Sequence, residues 1–117
     1  MTKPQLLDVE PLEKVLQDFA TQRHWEKFHT PRNLLLALTG EVGELAEIFQ
    51  WMTDDEVSNI EQDVARFEHV HEEIADVLLY LVRLASVMHI DLNQAVADKL
   101  IKNAIKYPVP EPDRQQK

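Results

Sequence analysis

Residues 34–52 read LLLALTGEVGELAEIFQWM, from Leu34 to Met52, and one acid in this stretch occupies a place meant for a core side chain. Leu34, Leu38, Leu45, Ile48 and Met52 recur at spacings of four and three, the seam of a buried helix, and Glu41 fills the one missing place. Glu44 follows one turn later on the same face, so the two carboxylates can grip one ion together. The chain's 2 glycines, Gly40 and Gly43, each directly precede one of these glutamates. Mid-helix glycine costs roughly 1 kcal/mol relative to alanine, so the pair predicts something passing close to the backbone, a neighbouring helix or a ligand. A buried charge must be paired or bind metal, and that favours a site over a solvated face.

With 117 residues, low glycine, 44% hydrophobic and 28% charged residues, the composition describes one soluble all-α domain. A formal charge of -9 argues against a nucleic-acid backbone as partner. The absence of cysteine excludes disulfides, thiolate zinc sites and cysteine nucleophiles. The N-terminus, MTKPQLLDVE, lacks a signal pattern and no apolar run approaches a membrane span, so a cytoplasmic protein without membrane partners is expected.

Along the chain, a first amphipathic helix is predicted to start between Asp8 and Pro11 and to run to about Arg23. The connection HWEKFHT, 24–30, is rich in side chains that can touch a ligand, and Thr30-Pro31 opens the second helix, to about Met52. Leu34, Leu35, Leu36 and Leu38 make its first half apolar nearly all round, which predicts a subunit interface. Thr53 with Glu56 is a capping box. The three-four rhythm from Val57 to Met88, with only His71 polar, predicts a short helix, a break near Ser58 to Gln62, and a long helix ending near His89. Asp91 with Gln94 caps a last helix to about Lys106. Residues 1–108 form the expected domain and 109–117 a disordered tail.

On the long helix, Glu73 and Asp76 repeat the paired spacing, and Tyr80 and Arg83 continue the same stripe. This stripe lies opposite the Ile74, Leu78 and Leu81 seam, yet Val77, Leu79, Val82 and Leu84 leave the helix apolar almost everywhere else, so the stripe is expected to line an enclosed site. Glu41, Glu44, Glu73 and Asp76 together offer hard oxygen donors, which suit Mg²⁺ or Mn²⁺ and not zinc. Lys99, Lys102, Asn103 and Lys106 share one face of the last helix and suit a polyphosphate.

EVGE (41–44), a 28-residue gap and EIAD (73–76) resemble the ExxE and ExxD signature of the MazG-like all-α nucleoside triphosphate pyrophosphatases. The resemblance extends through WEKFHTPRNLLLALTGEVGELAEIFQW, DVLLYLVRLA and KxxxNxxKYP, roughly Arg23 to Pro108, and is nearest to the dCTP pyrophosphatase branch. It implies a four-helix-bundle-type fold with a short extra helix, a homo-oligomer (dimer or tetramer), and Mg²⁺-dependent cleavage of a (d)NTP, dCTP or another modified or standard one, to the monophosphate and pyrophosphate. It further implies Glu41, Glu44, Glu73 and Asp76 as metal ligands, Glu44 or Glu41 as the group acting on the attacking water, Trp25 and Trp51 shaping a base pocket, Tyr80 and Asn103 on the nucleotide, and Lys99 and Lys106 on the phosphates. The animal dCTP enzymes of this family carry a base-contacting histidine in the first helix, where this chain places Leu16.

Two other readings compete. Glu26 with His29 and Glu68 with His71 have the ExxH spacing of di-iron carboxylate bundles, with His71 expected as a partly buried core histidine. Alternatively, the acids are the surface of a non-enzymatic helical interaction module.

Overall fold

A computed structural model describes residues 4–112. Among the described residues five α-helices follow in order, α1 (Glu10–Gln22), α2 (Pro31–Phe49), α3 (Asp54–Ser58), α4 (Val64–Val87) and α5 (Leu92–Lys106), with 3₁₀ turns at Glu26–Phe28 and Ile60–Gln62. No strand occurs among the described residues. Residues 109–112 carry no regular structure, and the rest of the expected tail, 113–117, lies outside the described residues.

Local chemistry sets the helix boundaries. The Thr30 hydroxyl accepts from Asn33 N and Pro31 takes the first helical position. Thr53 and Glu56 close the expected capping box in both directions, and the Asp63 and Asp91 side chains accept from Arg66 N and Gln94 N. Helix α2 ends at Phe49 and α4 at Val87, slightly short of the expected ends, because Met52 N and His89 N bond back across tight turns. Both α1 and α4 finish on a histidine in the left-handed region, His24 (φ 56°) and His89 (φ 57°). Trp25 N then reaches Ala20 O at 2.9 Å and Ile90 N reaches Ala85 O at 2.9 Å, closing each helix as glycine usually does.

The centre of the molecule is the α2–α4 pair, with α1 laid against the C-terminal half of α4 and the Ile60–Gln62 turn against its start. Leu34 (2% exposed) and Val82 (1%) anchor a small core with Ala20, Ile60, Val70 and Ala85. Asn93 tethers the N-terminal segment, accepting from Leu6 N and Leu7 N and donating to Pro4 O. Only the first turns of α5 are covered, around Ala97, and Leu100, Ile101 and Ile105 (77% exposed) project clear of the other helices.

Helix α4 is turned the opposite way from its apolar periodicity. Glu73 and Arg83 are buried, Asp76 and Tyr80 partly so, while Ile74, Leu78 and Leu81, the expected core seam, are each more than two-fifths exposed. The polar stripe faces inward and a greasy face is left outside. His71 also departs from expectation: it is exposed, its ring 4.3 Å from Phe67, because the seam it belongs to is the outer one.

Candidate active site

Where α2 and α4 face each other, Glu41, Glu73 and Asp76 each place a carboxylate oxygen within 4.8 Å of the others. Glu41 comes from α2, at the place the sequence left vacant in its seam, and Glu73 and Asp76 come from successive turns of α4. Glu41 Oε2 and Glu73 Oε2 are enclosed and meet no donor among the described residues. Enclosed acceptors without partners cost about 1–3 kcal/mol each, and more when charged, so the arrangement is poised for a cation. Donors that are all carboxylate oxygens fit a hard divalent ion.

Electrostatics of the group agree. The Glu41 carboxyl is raised to about 7, chiefly by a hydrogen bond shared with Glu73, then by burial, then by the charges of Glu44, Glu73 and Asp76. A cation among these carboxylates would relieve the same repulsion. His69, one turn before Glu73, places Nε2 3.3 Å from Glu73 Oε1 and fixes that carboxylate from the solvent side. Its i, i+4 spacing from Glu73 was visible in the sequence, but nothing there marked it among five histidines.

The four expected acids are therefore three plus one. Glu44 is exposed and lies outside the tight group, since it sits farther round α2, yet its charge still bears on Glu41. It lines a cleft of about 940 Å³ beside the carboxylates, with Glu47, Ile48, Trp51, Arg66 and His69. Trp51 is 86% exposed on the rim, so it contributes nothing to the core of the single chain. Trp25 is half-exposed on the other side, edge-on to Phe19 at 5.6 Å and 6.2 Å from the His29 ring. Tyr80 lies on α4 and is partly buried.

Lys99, Asn103 and Lys106 are not brought to this site: α5 projects from the α2–α4 pair instead of packing on it. Lys106 Nζ lies 5.3 Å over the Tyr107 ring. Neither ExxH pair joins the carboxylates. His29 Nδ1 accepts from Arg83 Nε and Glu26 accepts from Gln17, while Glu68 and His71 pair on the outer face of α4. A Cβ built on Gly40 or Gly43 meets nothing within 4 Å, so whatever needs that room is no other part of the described chain. No helix among the described residues is long and apolar enough to cross a membrane.

Comparison with known proteins places these residues in a family. Residues 37–117 match the MazG-like family, a span that holds all three converging carboxylates. The Mus musculus dCTP pyrophosphatase 1 is 50% identical over 101 residues, 86% of this chain and 59% of that protein. Its Homo sapiens counterpart is 48% identical over 100 residues, with the same coverage of 86% and 59%. The chain thus spans about three-fifths of the length of these relatives. A crystal structure of a pyrophosphatase from Archaeoglobus fulgidus DSM 4304 superposes with a TM-score of 0.77 at 40% identity, covering 93% of this chain and 100% of that one. With its all-α architecture, its inward-turned acids on α2 and α4 and this breadth of similarity, the chain belongs to the MazG-like family.

Proposed function

We propose that the protein is a Mg²⁺-dependent nucleoside triphosphate pyrophosphohydrolase that converts a (d)NTP, dCTP or a related or modified nucleotide, to the monophosphate and pyrophosphate. The observation carrying this reading is the convergence of Glu41, Glu73 and Asp76 with two enclosed carboxylate oxygens that lack a donor. Relatives named dCTP pyrophosphatase 1 support the substrate class. Glu41, Glu73 and Asp76, with Glu44 at the margin, hold Mg²⁺ (Mn²⁺ has the same donor preference). When bound, the ion supplies the positive charge that lets an acidic cleft accept a polyphosphate.

Glu44 is the residue we assign to the attacking water, with Glu41 as the second candidate. It is exposed to the cleft and so within reach of solvent, and as a carboxylate it can orient the water and take its proton as oxygen attacks the α-phosphorus. The bond from that phosphorus to the bridging oxygen breaks and pyrophosphate leaves. His69 keeps Glu73 in place, and Trp51 and Trp25 wall the nucleotide beside Tyr80. Lys99, Asn103 and Lys106 reach phosphates or nucleotide only where α5 of one copy lies across the α2–α4 face of another, which makes a homo-oligomer, dimer or tetramer, part of the proposal. The apolar outer face of α4 and the open space at Gly40 and Gly43 support such a neighbour. Free nucleotide pools make the cytoplasm its place of action, and a charge of -9 gives a nucleic-acid backbone no foothold.

Product analysis tests the reading. With Mg²⁺, at least one dNTP should yield pyrophosphate and a monophosphate, and EDTA should abolish turnover. Orthophosphate and a diphosphate as products would place the cleavage elsewhere.

A further inference from the structure

Among the described residues only two charged side chains are deeply buried, Glu73 and Arg83. Glu73 belongs to the carboxylate group, whereas nothing in the chemistry above uses Arg83. The residue is 5% exposed; Nε donates to His29 Nδ1 at 3.0 Å and Nη1 to Gln17 Oε1 at 2.8 Å. Both partners are neutral. Burial and the adjacent guanidinium hold the His29 pKa below its ordinary value, so its Nδ1 is free to accept. The Gln17 amide is itself oriented, its Nε2 donating to Thr21 Oγ1 at 3.0 Å and Glu26 Oε2 at 3.2 Å. Among the described residues no carboxylate forms an ion pair with Arg83. A buried cation held only by neutral groups is a costly arrangement for packing alone.

The guanidinium is also left incomplete. Nη2 makes no hydrogen bond among the described residues, yet the enclosed side-chain atoms without partners there are Glu41 Oε2 and Glu73 Oε2 and not Nη2, so this donor opens on accessible space. Arg83 lies on the same face of α4 as Glu73, Asp76 and Tyr80. From Asp76 to Arg83 the helix rises about 10 Å, the same order as the span from an α-phosphate across the sugar to the pairing edge of its base. Beside the fork stands an aromatic wall: His29 neighbours Trp25, and Trp25 neighbours Phe19.

We propose that Arg83 is the specificity-determining residue for the nucleobase, its free donors reading two adjacent acceptors in the plane of the base. Cytosine offers such a pair in N3 and O2, and guanine in O6 and N7; adenine and thymine offer none. The arginine fork fits such a pair bidentately, as it does on guanine in nucleic-acid recognition. Gln17 and His29 are positioning residues that fix the plane of the guanidinium. This inference rests on the pyrophosphohydrolase reading and adds the group that selects the base.

The test measures kcat/KM for the four standard dNTPs with the unaltered protein, Arg83→Lys and Arg83→Gln. Pyrophosphate release from none of them by the unaltered protein would leave no standard dNTP as substrate and overturn the assignment of Arg83 to cytosine or guanine, whereas the activity reading would then stand or fall on modified nucleotides and ribonucleotides. The expected result is a preference for dCTP or dGTP over dATP and dTTP by the unaltered protein. In both variants the preferred-to-dTTP ratio should collapse by about 10- to 100-fold, the size of one bidentate base contact. A uniform fall across all four substrates would make Arg83 a structural tie between helices, and an unaltered protein preferring dATP or dTTP would overturn the assignment. A second measurement needs no variant: replacing N3 of dCTP by CH (3-deaza-dCTP), or N7 of dGTP by CH (7-deaza-dGTP) where dGTP is preferred, should lower kcat/KM about 10-fold or more. Equal rates on the analogue and its parent nucleotide would refute the proposal whether or not the variants fold.

Discussion

At the scale of single residues, the carboxylate group links stability, pH and metal in one measurable sign. Glu41 is raised to about 7 in the folded protein from an ordinary value near 4.5. The folded state therefore binds its proton more tightly, and the stability this contributes is fully present below about 4.5 and lost as pH rises through about 7. His29, with a lowered pKa, acts in the opposite sense, losing stability as pH falls. Comparing the protein with Glu41→Gln isolates the first effect. In EDTA the two should melt alike near pH 4, and Glu41→Gln should melt higher by pH 8; curves that stay parallel would show that Glu41 is not strained. Asp76→Asn removes one of the charges acting on Glu41 while keeping shape. It should lose turnover, melt higher in EDTA, and gain less from Mg²⁺, because it binds the ion less well. Retained turnover with no rise in melting temperature would take Asp76 out of the site.

Trp51 gives a simpler contrast at the same scale. Being 86% exposed, it can be removed at little cost to the single chain, so Trp51→Ala should raise KM for the nucleotide several-fold. An unchanged KM in the folded variant would end its role in the pocket.

At the scale of the element, α2 uses its glycines against its own propensity. The left-handed positions that glycine usually fills, at the ends of α1 and α4, are held by His24 and His89, while both glycines sit inside a helix with no positive φ. A methyl group at Gly43 would touch nothing of the described chain. On helix propensity alone Gly43→Ala should add roughly 1 kcal/mol of stability per chain. If the room belongs to a ligand or a second copy, the same change should lower turnover or weaken assembly despite the stronger helix. Full activity together with higher stability would mean that the glycine serves neither.

At the scale of the whole molecule, the single chain is open. A compact protein of this mass would expose about 6,600 Å² with a radius of gyration of roughly 13 Å. This chain exposes 9590 Å² with a radius of gyration of 18.9 Å, and its exposed apolar residues include Leu35, Leu36, Ile74, Leu78, Leu81, Leu100, Ile101 and Ile105. Burying such faces on further copies is the expected remedy. Light scattering should give a multiple of 13.6 kDa at micromolar concentration, and Leu78→Asp or Ile105→Asp should dissociate it and lower the melting temperature. In a monomer both positions face water and an aspartate there would be harmless, so a stable 13.6 kDa species unaffected by either change would refute the assembly.

What the sequence determined by itself is what depends on neighbours along the chain. Thr30-Pro31, Thr53 with Glu56 and Asp91 with Gln94 set helix starts, because a cap is satisfied within one turn. Glu41 stood out because an acid interrupted a regular seam. The orientation of α4 was another matter. Its periodicity shows two faces, apolar and polar; the apolar flanks Val77, Leu79, Val82 and Leu84 pointed to a polar stripe that lines an enclosed site, but periodicity does not name the element the stripe meets. Only the tertiary structure set that stripe against α2, put Glu44 aside from the other three acids, and joined Arg83 to Gln17 and His29 across 66 and 54 residues of sequence. Those contacts arise between helices, where spacing along one helix carries no information about the next.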